Sequence, residues 1–389
     1  MLSPDHVRFT LAGPDELEHR IARDQQRVVE EVARLLPRDQ LVALILAGGY
    51  GRGEGGYRRD GEGFAPYNDY DYFLVVRRVG PAGLRRLERT LHALGERLSR
   101  EFGLPEVDFA VLESQRLARL PACLMYSELK WRHRVLLGDP QALDTITSPP
   151  VEQLPRAEFS RMMLNRGALL LMNAQALAEG GDVRARGCSR FLIYFSKGLL
   201  AAGDARLAAA GLYHPSVGER GRRLRQLEWV GSGSAQFLEL YDHAVRIKLG
   251  GETGRVLGPG EPHRLQRLAV HEWLEAFRVL ETARLGRVPE SWQAYASPDV
   301  AKGQGARRWW SPLHHIALAL RAKAGRRATL DPRRVLQHPR ERLMAALPLL
   351  LESGTPGQNK LAAEALGAHG DAAWPGLAEF FLVDWRRYC

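Results

Sequence analysis

Three acidic residues, Asp69, Asp71 and Asp108, have types and spacing that suit cation chemistry. Asp69 and Asp71 begin a run of β-branched and aromatic residues, and alternate residues of a strand project to the same side, about 6–7 Å apart. Two carboxylates that close repel each other unless a cation lies between them. Oxygen ligands of this kind suit Mg²⁺ or Mn²⁺. The pair predicts a divalent-cation site, and the alternative is a solvated pair at the start of a strand.

Asp108 interrupts the otherwise apolar run 106–112, where burial of a carboxylate without a partner is costly. If this run pairs with the strand that begins near Asp69, Asp108 completes a group of three carboxylates able to hold two metal ions. Two metal ions can clamp the attacking and leaving oxygens of an in-line phosphoryl displacement. The alternative is a salt-bridged or edge-exposed aspartate.

A glycine-rich segment, 48–56, directly follows the wholly apolar run 41–47. Glycines let backbone N–H groups approach a phosphate closely, because no Cβ obstructs the approach. Arg52 can add a charge-assisted contact to such a phosphate, the alternative being a loop arginine that faces solvent. Glu54 is predicted to be a local loop or cap residue.

The elements that must position these residues are predicted from hydrophobic periodicity and from breaking residues. The segment 48–56 is too rich in glycine for a regular element. The predicted elements are a helix over 15–36, a strand over 41–47 buried on both faces, a strand over 69–76, a helix over 81–102 and a strand over 106–112. Together they predict a small mixed α/β unit.

Beyond about residue 114 the strand signals stop and helical periodicity takes over. The predicted helices are 114–136, 157–181, 189–211, 221–249, 262–286 and 311–324, with a linker or long loop over 286–310. The fold class is therefore α+β, with a small mixed-sheet domain followed by a larger all-helical domain. We expect domains over 1–145 and 146–290, and a C-terminal Arg-rich helical segment over 311–389.

Composition excludes several classes of protein. With 389 residues, 45% hydrophobic and 26% charged, the chain is globular and neither disordered nor collagen-like. No apolar run approaches the roughly 18–20 residues of a membrane span, and the first twenty residues have no signal-type segment. Three scattered cysteines fit neither a disulfide framework nor a zinc site. We expect a soluble cytoplasmic protein with no membrane partner.

The charge is unevenly distributed between the two halves. Residues 1–145 hold 21 basic and 22 acidic side chains, and residues 146–389 hold 34 and 23. A basic half can attract nucleic acid, a nucleotide or another polyanion. The alternative is a solvated, Arg-rich helical surface without a partner.

The order of these features resembles the polymerase-β-type nucleotidyltransferase superfamily, whose pattern is a strand, two glycines, Asp-x-Asp and a third Asp. The matching residues are Gly48-Gly49, Asp69-x-Asp71 and Asp108, within residues 41–112. The stretch 125–139 also resembles the segment that often closes this domain in small nucleotidyltransferases. The resemblance implies a small mixed-sheet nucleotidyltransferase domain and a helical partner domain.

The resemblance also implies roles for the three aspartates. Asp69 and Asp71 would bind both metal ions, Mg²⁺ or Mn²⁺. Asp108 would bind the catalytic metal and help to activate an acceptor hydroxyl. All three acidic positions of the pattern are intact.

The nucleotide-binding residues implied by the resemblance are Gly48, Gly49, Tyr50, Arg52 and Lys197. Tyr50 stands where many members have Ser, so backbone donors would serve there. The interval between the glycines and the aspartates is longer than usual, which predicts an inserted loop over 54–67 that contacts nucleotide or acceptor. Lys197 lies in an apolar helical stretch and would contact the triphosphate, the alternative being a snorkelling surface lysine.

The function predicted by the resemblance is metal-dependent transfer of a nucleoside monophosphate from an NTP to a hydroxyl, with release of pyrophosphate. The acceptor stays open among a small molecule, RNA and protein, as does the choice of NTP. A second resemblance, of the loop 48–53 to that of sugar-nucleotide pyrophosphorylases, lacks the Pro-Lys segment of those enzymes. The remaining alternative is a non-catalytic nucleotide- or nucleic-acid-binding protein that uses the basic helical half.

Overall fold

The computed structural model divides into two compact units. The first comprises Met1–Leu154, Tyr213–Arg222 and Val245–Thr253, and the second comprises Pro155–Leu212, Arg223–Ala244 and Gly254–Cys389. The residues that the structure describes are 8–37, 39–180, 188–228, 234–250, 257–258, 260–287, 289–300, 302–303, 334, 337–352, 355–368 and 372–389.

The first unit is built on a four-stranded mixed sheet. Its strands and those of a separate hairpin are β1 (Leu41–Leu46), β2 (Tyr57–Asp60), β3 (Gly63–Pro66), β4 (Tyr70–Val76), β5 (Val107–Glu113) and β6 (Arg134–Gly138). The order in the sheet is β5-β4-β1-β6, with β4 and β5 parallel and the other pairs antiparallel. The hairpin β2–β3 occupies most of the predicted insertion over 54–67.

Two long helices cover one face of this sheet, α1 (Asp15–Leu35) and α3 (Gly80–Phe102). Apolar residues recur at helical spacing in both helices and pack against alternate strand residues, among them Leu44 and Tyr72. Gly103 ends α3 with a φ of +70°, the left-handed conformation that is typical of a glycine after a helix C-terminus. These helices and strands confirm the predicted elements between residues 15 and 112.

The opposite face of the sheet is covered by the segment that follows β5. This segment contains a 3₁₀ helix (Ser114–Arg119), the helix α4 (Leu124–Trp131) and then β6. The predicted single helix over 114–136 is therefore wrong. The edge of β1 is the reason, because its backbone groups need partners and β6 supplies them.

The glycine segment also differs from its prediction. Residues Gly48–Arg52 form a short helix, α2, that ends at Gly53 with a φ of +81°. Gly51 packs so closely on the end of β1 that a Cβ there would overlap the carbonyl oxygen of Leu46. The absence of a side chain at Gly51 allows this turn of helix to lie directly on the strand.

Most later elements are helices. They are α5 (Arg156–Ala178), α6 (Cys188–Ala209), α7 (Val217–Gln226), α8 (Ser234–Gly250), α9 (Glu261–Leu285), α10 (Trp292–Ala296), α11 (Pro339–Glu352), α12 (Pro356–Leu366) and α13 (Trp374–Tyr388). The predicted single helix over 221–249 is wrong, because two helices, α7 and α8, span that region. The predicted helix over 311–324 lies outside the described residues.

The prediction of a linker or long loop over 286–310 is wrong in part, because the region contains a short helix. This helix is α10, whose Trp292 and Tyr295 are buried and pack against Phe277 of α9. Two aromatic side chains in one short helix provide enough apolar surface to join the core of the second unit.

The fold is mixed α+β with a small mixed sheet, as predicted, and it is mainly helical; the sheet has a fourth strand, β6, beyond the three predicted. Among the described residues, no helix has the length and apolar character needed to cross a membrane.

Candidate functional site

Two of the three predicted carboxylates lie side by side on the sheet. Asp71 of β4 is in register with Asp108 of the parallel strand β5, so their Cα atoms are about 4.8 Å apart. Tyr70 and Tyr72 point to the face covered by α1 and α3, so Asp71 points to the opposite face. Asp108 shares that face with Leu112. Strand pairing therefore brings both carboxylates to one face at one end of the sheet.

The third carboxylate, Asp69, directly precedes β4, and its negative charge acts on Asp71. The pKa of Asp71 is raised from 3.8 to about 6, first by burial and then by the negative charges of Asp69 and Asp108. The guanidinium of Arg52 opposes this rise. The three carboxylates thus concentrate negative charge at one end of the sheet. We call Asp69, Asp71 and Asp108 the carboxylate edge.

Asp108 is exposed, and it lies on β5, one of the two edge strands of the sheet. The burial cost that its apolar surroundings in the sequence suggested therefore does not arise. Its environment is that of the edge-exposed alternative, and its register with Asp71 is what joins it to the other two aspartates.

Gly48 lies against Asp71. The backbone N–H of Ala47 donates to the carbonyl oxygen of Asp71 at 2.8 Å, which fixes the end of β1 beside the start of β4. Gly48 then turns with a φ of +60°, and a Cβ there would overlap Oδ2 of Asp71. Gly49 follows in the same turn, and a Cβ there would lie 3.1 Å from the carbonyl oxygen of Glu54. The Gly-Gly pair and the Asp-x-Asp pair are therefore brought together.

Tyr50 is a core residue. Its side chain is 1% exposed, its hydroxyl donates to the carbonyl oxygen of Gly56, and its ring meets that of Tyr70 edge to face at 4.8 Å. Burial raises the pKa of this phenol well above its usual value. The Tyr50 side chain secures the glycine segment from inside, so the only part of Tyr50 offered to a ligand is its backbone.

Arg52 is held by two carboxylates and does not face solvent. Its side chain is 10% exposed, with Nη1 at 3.3 Å from Oε2 of Glu128 and Nε at 4.0 Å from Oε2 of Glu54. The sequence predicts that Arg52 contacts a phosphate. In the structure Arg52 belongs to an ion-pair network within the first unit.

Glu54 caps a helix that is distant in sequence. Its carboxylate accepts hydrogen bonds from Oγ of Ser216 at 2.6 Å and from the backbone N–H of Val217 at 3.1 Å, at the start of α7. Glu128 likewise accepts from the hydroxyl of Tyr213. Sequence reasoning assigned Glu54 a local role and missed Glu128, Tyr213 and Ser216, because no motif or spacing relates residues so far apart.

Lys197 lies in α6 of the second unit and is half-buried. Its contact with a triphosphate stays a prediction.

The carboxylate edge fits a divalent cation in charge and in donor type. Its donors are carboxylate oxygens, which Mg²⁺ and Mn²⁺ prefer, and the raised pKa of Asp71 marks negative charge that a cation would neutralise. In the described part of the chain, however, no group of three His, Cys, Asp or Glu side chains is already arranged as a metal site. Asp71 and Asp108 are in register, and Asp69 is coupled to Asp71 from the residue before the strand.

Comparison of the chain with protein-family models, with curated proteins and with solved structures finds no match.

Proposed function

We propose that the first unit is a metal-dependent nucleotidyltransferase domain that moves a nucleoside monophosphate from an NTP to a hydroxyl acceptor. The observation that carries the proposal is the placement of Asp71 and Asp108 in register on one face, with Gly48 packed on Asp71. Phosphoryl transfer requires a negatively charged metal-binding edge beside a backbone surface that admits phosphates. The aspartates and the glycine turn, which lie together at one end of one sheet, support the proposal on both points.

In this proposal the chain's own groups have distinct tasks. Asp69 and Asp71 hold Mg²⁺ or Mn²⁺, and the bound cations supply neutralisation of the triphosphate charge. Asp108, the exposed member, accepts the proton of the acceptor hydroxyl. The acceptor oxygen forms a bond to the α-phosphorus, the bond from that phosphorus to the bridging oxygen breaks, and pyrophosphate leaves.

The glycine segment would orient the nucleotide. Backbone N–H groups at Gly48 and Gly49 are free of side-chain obstruction on their own residues and are offered to the β- and γ-phosphates. Arg52, held by Glu54 and Glu128, contributes positive charge near Asp71 and not a mobile contact. We propose that the reaction takes place in the cytoplasm.

The test is transfer of label from each α-labelled NTP, with Mg²⁺ or Mn²⁺, to RNA, protein or small molecules of a cell extract. Wild type is compared with Asp71→Asn and with Asp144→Asn, an exposed aspartate outside the site, as the matched control. We expect transfer by wild type and Asp144→Asn, and a loss of about 10³-fold in Asp71→Asn. NTP binding without transfer by wild type would contradict the proposal and favour a non-catalytic nucleotide-binding protein.

A further inference from the structure

The opposite end of β4 carries a second charged region. Arg77 and Arg78 follow the strand, and Arg85, Arg86 and Arg89 lie on the first turns of α3; all five side chains are exposed. Within the described residues none of these five has an acidic partner at ion-pair distance. We call them the arginine cluster.

The acidic side chains of this region are fewer than the arginines. Glu88 is exposed on α3 between members of the arginine cluster, and Asp39 is exposed in the turn before β1. Arg34, at the end of α1, is already paired with Glu30 and Glu31. The cluster therefore retains a positive charge that the chain's own described residues do not neutralise.

A groove of about 500 Å³ adjoins this cluster. Its apolar lining comes from the end of α1 and the start of α3 and includes Leu35, which is 39% exposed, together with Val79 and Leu87. Arg78 and Arg86 line the same groove. A groove that combines apolar side chains with arginines suits a ligand that presents apolar side chains between negative charges.

The dimensions and lining favour one class of ligand. The cluster comprises two arginines at the end of β4 and three on α3, at positions 85–89, which span about 6 Å of helix at 1.5 Å per residue. Five arginines on two elements carry more positive charge than one phosphate or carboxylate neutralises, so the cluster suits a chain with repeated negative charge. Nucleic acid bases bind by stacking on aromatic rings, and no aromatic residue lines the groove.

We propose that this groove binds an acidic peptide segment of a partner protein, with aliphatic side chains in the groove and carboxylates on the arginine cluster. The proposal does not depend on the transfer reaction, since the groove and the carboxylate edge lie at opposite ends of β4.

The experiment measures fluorescence anisotropy of a labelled peptide of alternating Glu and Leu, added to the full-length protein. Peptides of alternating Glu and Gly and of alternating Lys and Leu test the two parts of the recognition, and labelled oligouridylate tests nucleic acid. We expect binding of the Glu-Leu peptide alone among the three peptides, weakened by salt.

Two variants of α3 separate charge from shape. Arg86→Glu is compared with Arg100→Glu, an exposed arginine near the other end of the same helix, and we expect about tenfold weaker binding for Arg86→Glu only. Gly83→Met places a side chain at the groove without removing charge. The Cβ of such a residue would meet only the side chain of Val79, at 3.4 Å, and methionine is a better helix former than glycine.

Gly83→Met is therefore expected to fold with wild-type stability or better and to lose the Glu-Leu peptide. Equal effects of Arg86→Glu and Arg100→Glu, or unchanged peptide binding in Gly83→Met, would overturn the proposal. Binding of oligouridylate that depends on Arg86 but persists in Gly83→Met would overturn it in favour of a nucleic-acid surface.

Discussion

Strand β4 begins among carboxylates and ends among arginines. At its start, Asp71 is half-buried, coupled to Asp69 and Asp108, and covered by Gly48. At its end, the side chain of Arg77 is exposed and the groove lies beside it. Residues 1–145 are nearly neutral in total, but the structure places opposite charges at the two ends of this strand.

The two ends of β4 differ in how their charges, negative at one end and positive at the other, affect the stability of the fold. Negative charge at the start of β4 is concentrated and partly desolvated, so it raises the free energy of the folded state and the pKa of Asp71. Positive charge at the other end is solvated and spread out, so its cost is small. Changes at the first end should therefore alter stability far more than changes at the second.

The largest effect on stability is expected from Gly48→Ala. Alanine at a φ of +60° is strained, and its Cβ would overlap Asp71, so we expect a loss of about 3 kcal/mol. Gly61→Ala is the matched control, because Gly61 has a φ of +61° but nothing within 4 Å of the added Cβ. Urea denaturation should show a loss of about 1 kcal/mol for Gly61→Ala. Equal losses of stability in the two variants would show that the close contact between a Cβ at position 48 and Asp71 has no cost.

The next effect concerns the network that holds Arg52. In Glu54→Gln the cap of α7 loses its charge and Arg52 loses one of two ion-pair partners, at a cost of about 2 kcal/mol. Glu88→Gln, at an exposed position of α3, should change the free energy of unfolding by less than about 0.5 kcal/mol. A small effect of Glu54→Gln in chemical denaturation would show that the network is dispensable.

The pH dependence of Asp71 provides a third comparison. Its pKa is raised from 3.8 to about 6, so between these values the folded protein binds a proton that the unfolded chain does not. The contribution of this group to stability is therefore greatest below about pH 4 and declines as pH rises through about 6. We expect Asp71→Asn to be more stable than wild type by about 2 kcal/mol at pH 8 and to gain much less at pH 4.

Thermal denaturation of both proteins across this pH range, without divalent cations, measures the effect. A variant with no gain at pH 8 would show that Asp71 is not destabilised by its neighbours. A gain in stability together with lost transfer would be the signature of a group retained for activity.

The smallest effect is expected at the other end of β4. Arg77→Gln removes one solvated charge from the arginine cluster, so the free energy of unfolding should change by less than about 0.5 kcal/mol. Equilibrium denaturation in urea measures it. A loss of more than 1 kcal/mol would mean that Arg77 has a structural role and would weaken the contrast between the two ends.

Much of the carboxylate edge could be predicted from the sequence, because its residues lie close to the ends of strands. The apolar run before Gly48 and the β-branched run after Asp69 both gave correct strands, and alternation in a strand placed Asp71 on one face. The register of Asp71 with Asp108 needed only one parallel pairing of neighbouring strands.

The remaining features depend on contacts between distant residues. The bond from Ser216 to Glu54 joins residues 162 positions apart, and no local pattern marks either of them as a partner. The local pattern of residues 134–138 predicts helix, but the segment forms the strand β6, because its pairing with β1 outweighs the local preference. The five arginines were visible in the sequence, but a neutral total charge over 1–145 concealed their grouping.

The inclusion of Tyr213–Arg222 in the first unit has a consequence for synthesis of the protein. A chain emerging from the ribosome can form the sheet once β6 has been made, but Glu54 has no helix to cap until Ser216 and Val217 have followed. The hydroxyl of Tyr67 donates to the carbonyl oxygen of Lys248 at 2.7 Å, so this hydrogen bond forms only after residue 248 has been made. The first unit is begun early in the chain and completed late, so it acquires its finished form only after part of the second unit has been translated.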